Sequence, residues 1–218
     1  MKTNGSSCNN CRGILSLTST LLLAACGAIS PPQSVSQNIY VLESVQAVPA
    51  AQIKHDLVLA VSAPRALAGF DTSQMAYVQQ AHELNYFAAS RWADTPARML
   101  GPLIEHALEQ TESFRAVVQT SGSLPSDVRL DIELVRLQQD FKTRPSRVQL
   151  TLRVHLIDVR GRRLLAVHLF DDVETAATDD ALGGVAAANR LVQRVLGGLA
   201  EFCVKALVRE LKSSADRP

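Results

Sequence analysis

Val128-Arg129-Leu130-Asp131-Ile132-Glu133-Leu134 and Val148-Gln149-Leu150-Thr151-Leu152-Arg153-Val154-His155-Leu156 decide the fold of this 218-residue chain. In both stretches every second residue is aliphatic and its neighbours are charged or polar, the period of a strand that buries one face. Val128, Leu130, Ile132 and Leu134 point one way while Arg129, Asp131 and Glu133 point the other. The second stretch alternates in the same manner. The adjacent apolar pair Leu134-Val135 interrupts the phase, which predicts a bulge there. A turn at Asp158-Val159-Arg160-Gly161 leads into Leu165, Val167 and Leu169, so the three strands form an antiparallel meander.

Toward the C-terminus, Asp179 or Asp180 opens a long helix, in which Leu182, Val185, Val192, Leu196, Leu199, Cys203 and Ala206 follow one stripe to about Leu211. Gly183-Gly184 and Gly197-Gly198 lower its helix propensity, so the backbone either packs closely at these pairs or bends. Toward the N-terminus, Phe114 to Val118 reads as a strand and Ser121-Gly122-Ser123-Leu124-Pro125 as a loop. Arg91-Trp92-Ala93-Asp94-Thr95-Pro96 is a helix entry, in which Asp94 or Thr95 caps free backbone N–H groups and Pro96 is pre-set for the first turn. Leu100, Leu103, Ile104, Ala107 and Leu108 then form one helical face. Gly101-Pro102 predicts a kink, or a short first turn with the main helix starting at Pro102. Met75 to Ala88 reads as a hairpin, and Leu57 to Val61 and Ile39 to Leu42 as short strands, with Val48-Pro49-Ala50-Ala51 breaking the connection. The expected architecture is α+β, a mostly antiparallel sheet with two main helices packed on one face.

Before this domain lies a different kind of segment. Lys2 and Arg12 precede an apolar run from Ile14 to Ala25, too short to cross a bilayer of about 30 Å as a helix and of the length of a signal-peptide core. Leu23-Ala24-Ala25-Cys26-Gly27 closes it and resembles the bacterial lipobox, with Leu23, Ala24, Ala25 and Gly27 as the peptidase recognition residues and Cys26 as the lipidation site. The thiolate of Cys26 takes a diacylglyceryl group by alkylation, and the amine freed by cleavage accepts a further acyl chain. At about 0.8 kcal/mol per buried methylene, two or three chains hold a protein stably where one does not. Residues 1–25 are then a leader, 26–37 a lipidated tether with Pro31-Pro32 and no hydrophobic periodicity, 38–212 one domain, and 213–218 a disordered tail. Gly27, rather than Asp, in the second mature position favours the outer membrane by resemblance to the enterobacterial sorting pattern.

Composition narrows the function classes. A hydrophobic fraction of 47% with 20% charged residues describes a globular chain, and 22 basic against 21 acidic residues give no global attraction for nucleic acid. Cys8-Asn9-Asn10-Cys11 has redox or metal spacing, yet both cysteines leave with the leader. Cys203 then stands alone without a disulfide partner, in the pattern of a small core residue. His55, His82, His106, His155 and His168 show no H-x-x-x-H spacing, so no metal site is announced. There is no phosphate loop and no G-x-S-x-G. Asp171-Asp172 and Asp179-Asp180 read as solvated turns and caps, and His155 and His168 as surface histidines on neighbouring strands that could face each other. Tyr86, Phe87 and Trp92 have two readings, a plug under the first helix or an anchor for a partner, with the plug preferred. Arg91 is a partner contact or a surface charge. Tyr86, Arg91 and Trp92 are therefore the candidate partner contacts.

The lipobox at Cys26, the strand ending Tyr40-Val41-Leu42, the hairpin around Tyr86-Phe87, the entry Arg91-Trp92-Ala93-Asp94-Thr95-Pro96 and Phe114-Arg115-Ala116-Val117-Val118 occur in the order seen in the ABC-type transport auxiliary lipoproteins, which include the paraquat-inducible-type lipoproteins. The chain resembles that family over most of its mature length. The resemblance implies a fold similar to the N-terminal domain of the TolB protein. It also implies a non-catalytic, outer-membrane, periplasm-facing accessory subunit of an ABC/MCE-type system moving lipid or hydrophobic solute. The implied partners are the membrane, through the lipid on Cys26, an MCE-domain protein, and the ABC permease and ATPase, with no cofactor besides that lipid. Self-association into a homo-oligomer stays open. The alternative function is a structural or regulatory envelope lipoprotein, for example a cell-wall synthase activator, with no transporter partner.

Overall fold

The meander is built around its first strand, and the rest of the sheet is assembled along that strand's other edge. The structure, a computed structural model, describes residues 36–43, 54–120 and 125–215, with side chains of the last helix to residue 210. The leader, Leu23 to Gly27 with Cys26, the tether to residue 35, the Val48-Pro49-Ala50-Ala51 connection and Ser121 to Leu124 lie outside the described residues. In chain order the elements are β1 (Asn38–Tyr40), β2 (His55–Val61), β3 (Arg65–Ala66), β4 (Gln74–Val78), β5 (Asn85–Trp92), α1 (Pro96–Gln110), β6 (Phe114–Gln119), β7 (Val128–Asp140), β8 (Arg147–Asp158), β9 (Arg163–Thr175) and α2 (Ala181–Ala215).

β7, β8 and β9 form the antiparallel meander, with long ladders on both sides of β8. The register of β7 on β8 shifts between Leu134 and Arg136, at the apolar pair that predicts a bulge. Along its opposite edge β7 receives β2 at Val128–Leu130, β3 at Glu133–Leu134 and β4 at Gln138–Asp140, each in parallel. The sheet therefore forks. One branch continues from β2 to β6, the other from β4 through the antiparallel strand β5 to β1.

Alternation becomes burial on the covered face of the meander. Leu130, Leu134, Leu150, Leu152 and Leu156 are fully buried, each worth roughly 1.5–3 kcal/mol of transfer free energy. Opposite them lie Leu100, Ile104 and Leu108 of α1 and Leu191, Leu196 and Leu199 of α2, so both helices share one core on one face of the sheet. Leu182, assigned to the α2 stripe by its spacing, is instead 62% exposed. It sits in the first turn, beyond the covered face. On β9 the alternating Val167 and Leu169 lie on the uncovered face at 50% and 51% exposure, while Ala166 and Phe170 pack toward the helices. Alternation identifies a strand but is silent on which of its faces is covered.

α1 begins as its capping residues dictate. Thr95 Oγ1 accepts from the Arg98 N–H at 3.4 Å, and Pro96 occupies the first position. The main helix does not start anew at Pro102: one helix runs from Pro96 through both Gly101 and Pro102. Pro102 and Arg98, the residue four back whose carbonyl loses its helical donor, are both exposed, so the missing hydrogen bond falls on the solvent side of the helix. Gly101 is buried against Pro64, whose Cδ would lie 3.4 Å from an added Cβ.

α2 is capped by Asp180, whose Oδ1 accepts from the Gly183 N–H at 2.7 Å, and Asp179 accepts from the Ser146 N–H at 2.6 Å. These backbone donors hold both carboxyls below the usual aspartate range. The helix continues to Ala215, past Leu211 and into the segment 213–218 assigned to a disordered tail. Its glycine pairs differ in purpose. A Cβ on Gly183 would meet the Thr178 carbonyl oxygen at 2.3 Å, and one on Gly184 the buried Gln139 amide oxygen at 2.1 Å, so the first pair permits close packing. Nothing lies within 4 Å of a Cβ on Gly197. Gly183→Ala is therefore expected to destabilise the domain by about 1–3 kcal/mol through overpacking against backbone. Gly197→Ala is expected to stabilise it by roughly 0.5–1 kcal/mol through helix propensity. Urea denaturation of the two variants checks this, and a shift of the same sign in both would contradict it.

Candidate interaction surfaces

The residues singled out as partner contacts fall on β5, where strand alternation separates them. Trp92 points into the core at 4% exposure, beside Met75 and Ala97, so it is the plug and presents no ring to a partner. Arg91 faces the other way and is half-buried, in register with Ile39 of β1 and Gln74 of β4. Its Nε is enclosed and, among the described residues, has no hydrogen-bond partner. Tyr86 is half-buried and donates its hydroxyl to the Gly69 carbonyl at 2.9 Å, tying β5 to the loop before β4. Phe87 belongs to a separate group, with its ring 4.7 Å from Tyr77 and 6.2 Å from Phe141. The part played by Phe141 was not legible from the sequence, because it follows β7 and reaches β4 only through the parallel ladder. The strand geometry thus leaves Tyr86 and Arg91 partly accessible and removes Trp92 from the surface.

Hollows border the sheet at its edges. One, of about 770 Å³, lies at the start of β2 between the end of α1 and β6, with His55, Leu108 and Phe114 in its lining. On its rim Lys54 pairs with Glu112 at 3.5 Å and Arg115 with Asp56 at 3.0 Å, and the exposed carboxylate of Glu109 stands beside them. His55 is buried, and desolvation pushes its imidazole below the ordinary histidine range, toward the neutral form. Another, of about 760 Å³, is a groove between β9 and α2. His168, Phe170 and Phe202 line it with ring centroids 4.4 to 6.1 Å apart.

The acidic pairs bind the domain together. Asp171 and Asp172 lie inside β9, not at a turn. Asp171 accepts from Thr151 Oγ1 at 2.7 Å on the open face, and Asp172 accepts from Arg194 Nε at 2.6 Å. Glu174 accepts from Arg190 and Arg194 at 2.8 and 2.9 Å. These guanidiniums hold Asp172 and Glu174 below the usual carboxylate range and fasten the end of β9 to α2.

His155 pairs in register with Val167, and His168 with Val154, so the two histidines point to opposite faces of the sheet and do not meet. Among the described residues no group of three or more His, Cys, Asp or Glu side chains is placed to hold a metal ion. Cys203 is fully enclosed, and burial pushes its thiol up to about 12, where it stays protonated and unreactive. No helix among the described residues is long and apolar enough to cross a membrane.

A family model described as the ABC-type transport auxiliary lipoprotein component matches residues 40–200, from the end of β1 into the second half of α2. The chain is similar in fold to a crystal structure of a Xanthomonas campestris protein of the DUF330 family. That similarity has a TM-score of 0.73 and 19% identity, and covers 80% of this chain and 99% of the other. A second crystal structure, of an uncharacterized protein, matches with a TM-score of 0.58 and 13% identity over 79% and 99% of the two chains. No curated protein matches the chain.

Proposed function

Because the chain belongs to the ABC-type transport auxiliary lipoprotein component family, we propose that it is a lipid-anchored, non-catalytic accessory subunit of an ABC/MCE-type system that moves lipid or hydrophobic solute across the cell envelope. We place it on the periplasmic side of the outer membrane. The observation that carries this reading is the continuity of two features in one chain. The matched domain spans the sheet and both helices, and Leu23-Ala24-Ala25-Cys26-Gly27 precedes it at the distance of a short tether. The lipid on Cys26 supplies the membrane attachment, and Gly27 supports sorting outward. The described side chains support a non-catalytic role, since Asp171, Asp172, Asp179, Asp180, Glu174, Arg190 and Arg194 are engaged in holding the fold and the Cys203 thiol is enclosed in the core. Of the three candidate contacts on β5, Tyr86 and Arg91 remain partly accessible to a partner.

Affinity capture of the intact lipoprotein from membranes tests the proposal. The expected result is co-purification of an MCE-domain protein with a permease and its ATPase, at constant ratio after washing in 0.5 M salt. Recovery of a cell-wall synthase in their place would replace the transport reading with a regulatory one.

A further inference from the structure

Arg91 is the exception among the half-buried arginines of the sheet. Arg129 pairs with Asp131 at 2.9 Å, Arg136 with Asp171 at 3.3 Å, and Arg153 with Glu133. Arg91 makes no ion pair and no side-chain hydrogen bond among the described residues, and its Nε is enclosed. A guanidinium taken partly out of water with no anion beside it costs free energy that a charged partner would offset. Arg91 and Tyr86 are in register with Gln74 and Ala76 of β4, which are two residues apart and share a face. That face is the uncovered one, because Ala76 is in register with Gln138, while the next residue, Gln139, faces Gly184 of α2. Ile39 of β1, in register with Arg91, stands on the same face at 57% exposure. Leu84, also exposed, packs against Gly69, whose carbonyl accepts from the Tyr86 hydroxyl.

Aliphatic side chains, a tyrosine and a cation without a counter-charge on one surface are what a bilayer interface accommodates, since apolar groups enter the lipid and a guanidinium meets phosphate in paired hydrogen bonds. The position of the anchor selects this surface. The roughly ten residues from Gly27 to Gln37 span at most about 35 Å and lead directly into β1, so β1 and its neighbours are the described part of the domain tied most closely to the lipid. The aliphatic side chains exposed on β9 lie four strands beyond β5. A twist of about 20–25° per strand turns them away by roughly 90°, so a flat bilayer meets one set and not both. We infer that Arg91 binds the phosphate of a phospholipid headgroup in the membrane that holds Cys26, with Ile39 and Leu84 entering the interface and Tyr86 lying at its level. This rests on the lipid-anchored reading proposed above and adds an orientation to it: the uncovered face of the branch formed by β4, β5 and β1 lies on the bilayer, and both helices point away from it.

The test uses the full chain purified from its own membranes and returned to vesicles of phosphatidylethanolamine and phosphatidylglycerol. Gln74→Cys, exposed and in register with Arg91, carries an environment-sensitive dye, and Val167→Cys carries the same dye in a control chain. With the leader removed, Cys26 alkylated and Cys203 enclosed, each chain has one reactive thiol. Nitroxide-bearing phospholipid is expected to quench the dye at position 74 and to leave position 167 in water. Arg91→Gln is expected to reduce that quenching about fivefold, the weight of one arginine at a lipid surface, and Arg91→Lys to keep most of it. Ile39→Glu, at an exposed position that the fold does not depend on, is expected to act like Arg91→Gln, with the urea midpoint unchanged. Equal quenching at positions 74 and 167 overturns the inference, as does quenching indifferent to both Arg91→Gln and Ile39→Glu. Shielding of position 74 in native membranes but not in the vesicles also overturns it and assigns Arg91 to a protein partner. Mass spectrometry of the same preparation separates this inference from the reading beneath it. A lipidated chain whose position 74 stays in water removes the orientation alone, and a chain without lipid on Cys26 removes the anchor with it.

Discussion

Leu152→Asp is expected to unfold the domain at room temperature, while Arg153→Asp, one residue on, leaves it folded. Leu152 has no exposed surface and stands in the middle of the meander, in register with Leu134 on one side and Phe170 on the other. A carboxylate there has no cationic partner within the apolar cluster. It is either charged at a cost of several kcal/mol or neutralised, with the lost leucine packing added in both cases. With a typical domain stability of about 5–15 kcal/mol, that loss takes most or all of the margin. Arg153 faces the open side and pairs with Glu133. Its replacement by aspartate exchanges an attraction for a repulsion between partly solvated groups, a penalty on the order of 1 kcal/mol. Urea denaturation of the two variants separates the faces. Equal destabilisation would mean that the covered and uncovered sides of β8 have been interchanged.

The second large effect concerns the anchor. Cys26→Ser is expected to abolish lipidation and leave an unprocessed precursor, because an alcohol is a far poorer nucleophile than a thiolate. Radiolabelled fatty acid appearing in the Cys26→Ser protein would overturn the assignment. Attachment also limits where the domain can act. The roughly ten residues from Gly27 to Gln37 extend at most about 3.3–3.6 Å each, a reach of about 35 Å, so the domain stays near whichever membrane holds Cys26. Gly27→Asp is expected to keep the lipidated protein at the inner membrane with its fold intact and to impair transport. Full complementation by a Gly27→Asp protein that fractionates with the inner membrane would remove the outer-membrane role.

What the sequence determined by itself is the part governed by neighbours along the chain. The period of two between Val128 and Leu156, the turn at Gly161, the pair Leu134-Val135 and the capping residues Thr95 and Asp180 act over one to four residues, so strands, bulge and helix starts were legible. The sheet-forming meander and its α+β class follow, because hairpin neighbours pair without distant help. The resemblance of Leu23 to Gly27 to a lipobox is local in the same sense, resting on five consecutive residues.

Tertiary structure alone decided what depends on distant residues. β3 is two residues long and exists because Glu133 and Leu134 of β7 offer it an edge. The parallel ladders of β2, β3 and β4 on β7 join segments more than fifty residues apart, with no local pattern to announce them. The burial of Trp92, the solvent-facing place of Pro102 that lets α1 pass through it, and the uncovered face carrying Val167 and Leu169 were settled by where the helices lie. Periodicity encodes which residues share a face, and only packing determines which face is removed from water.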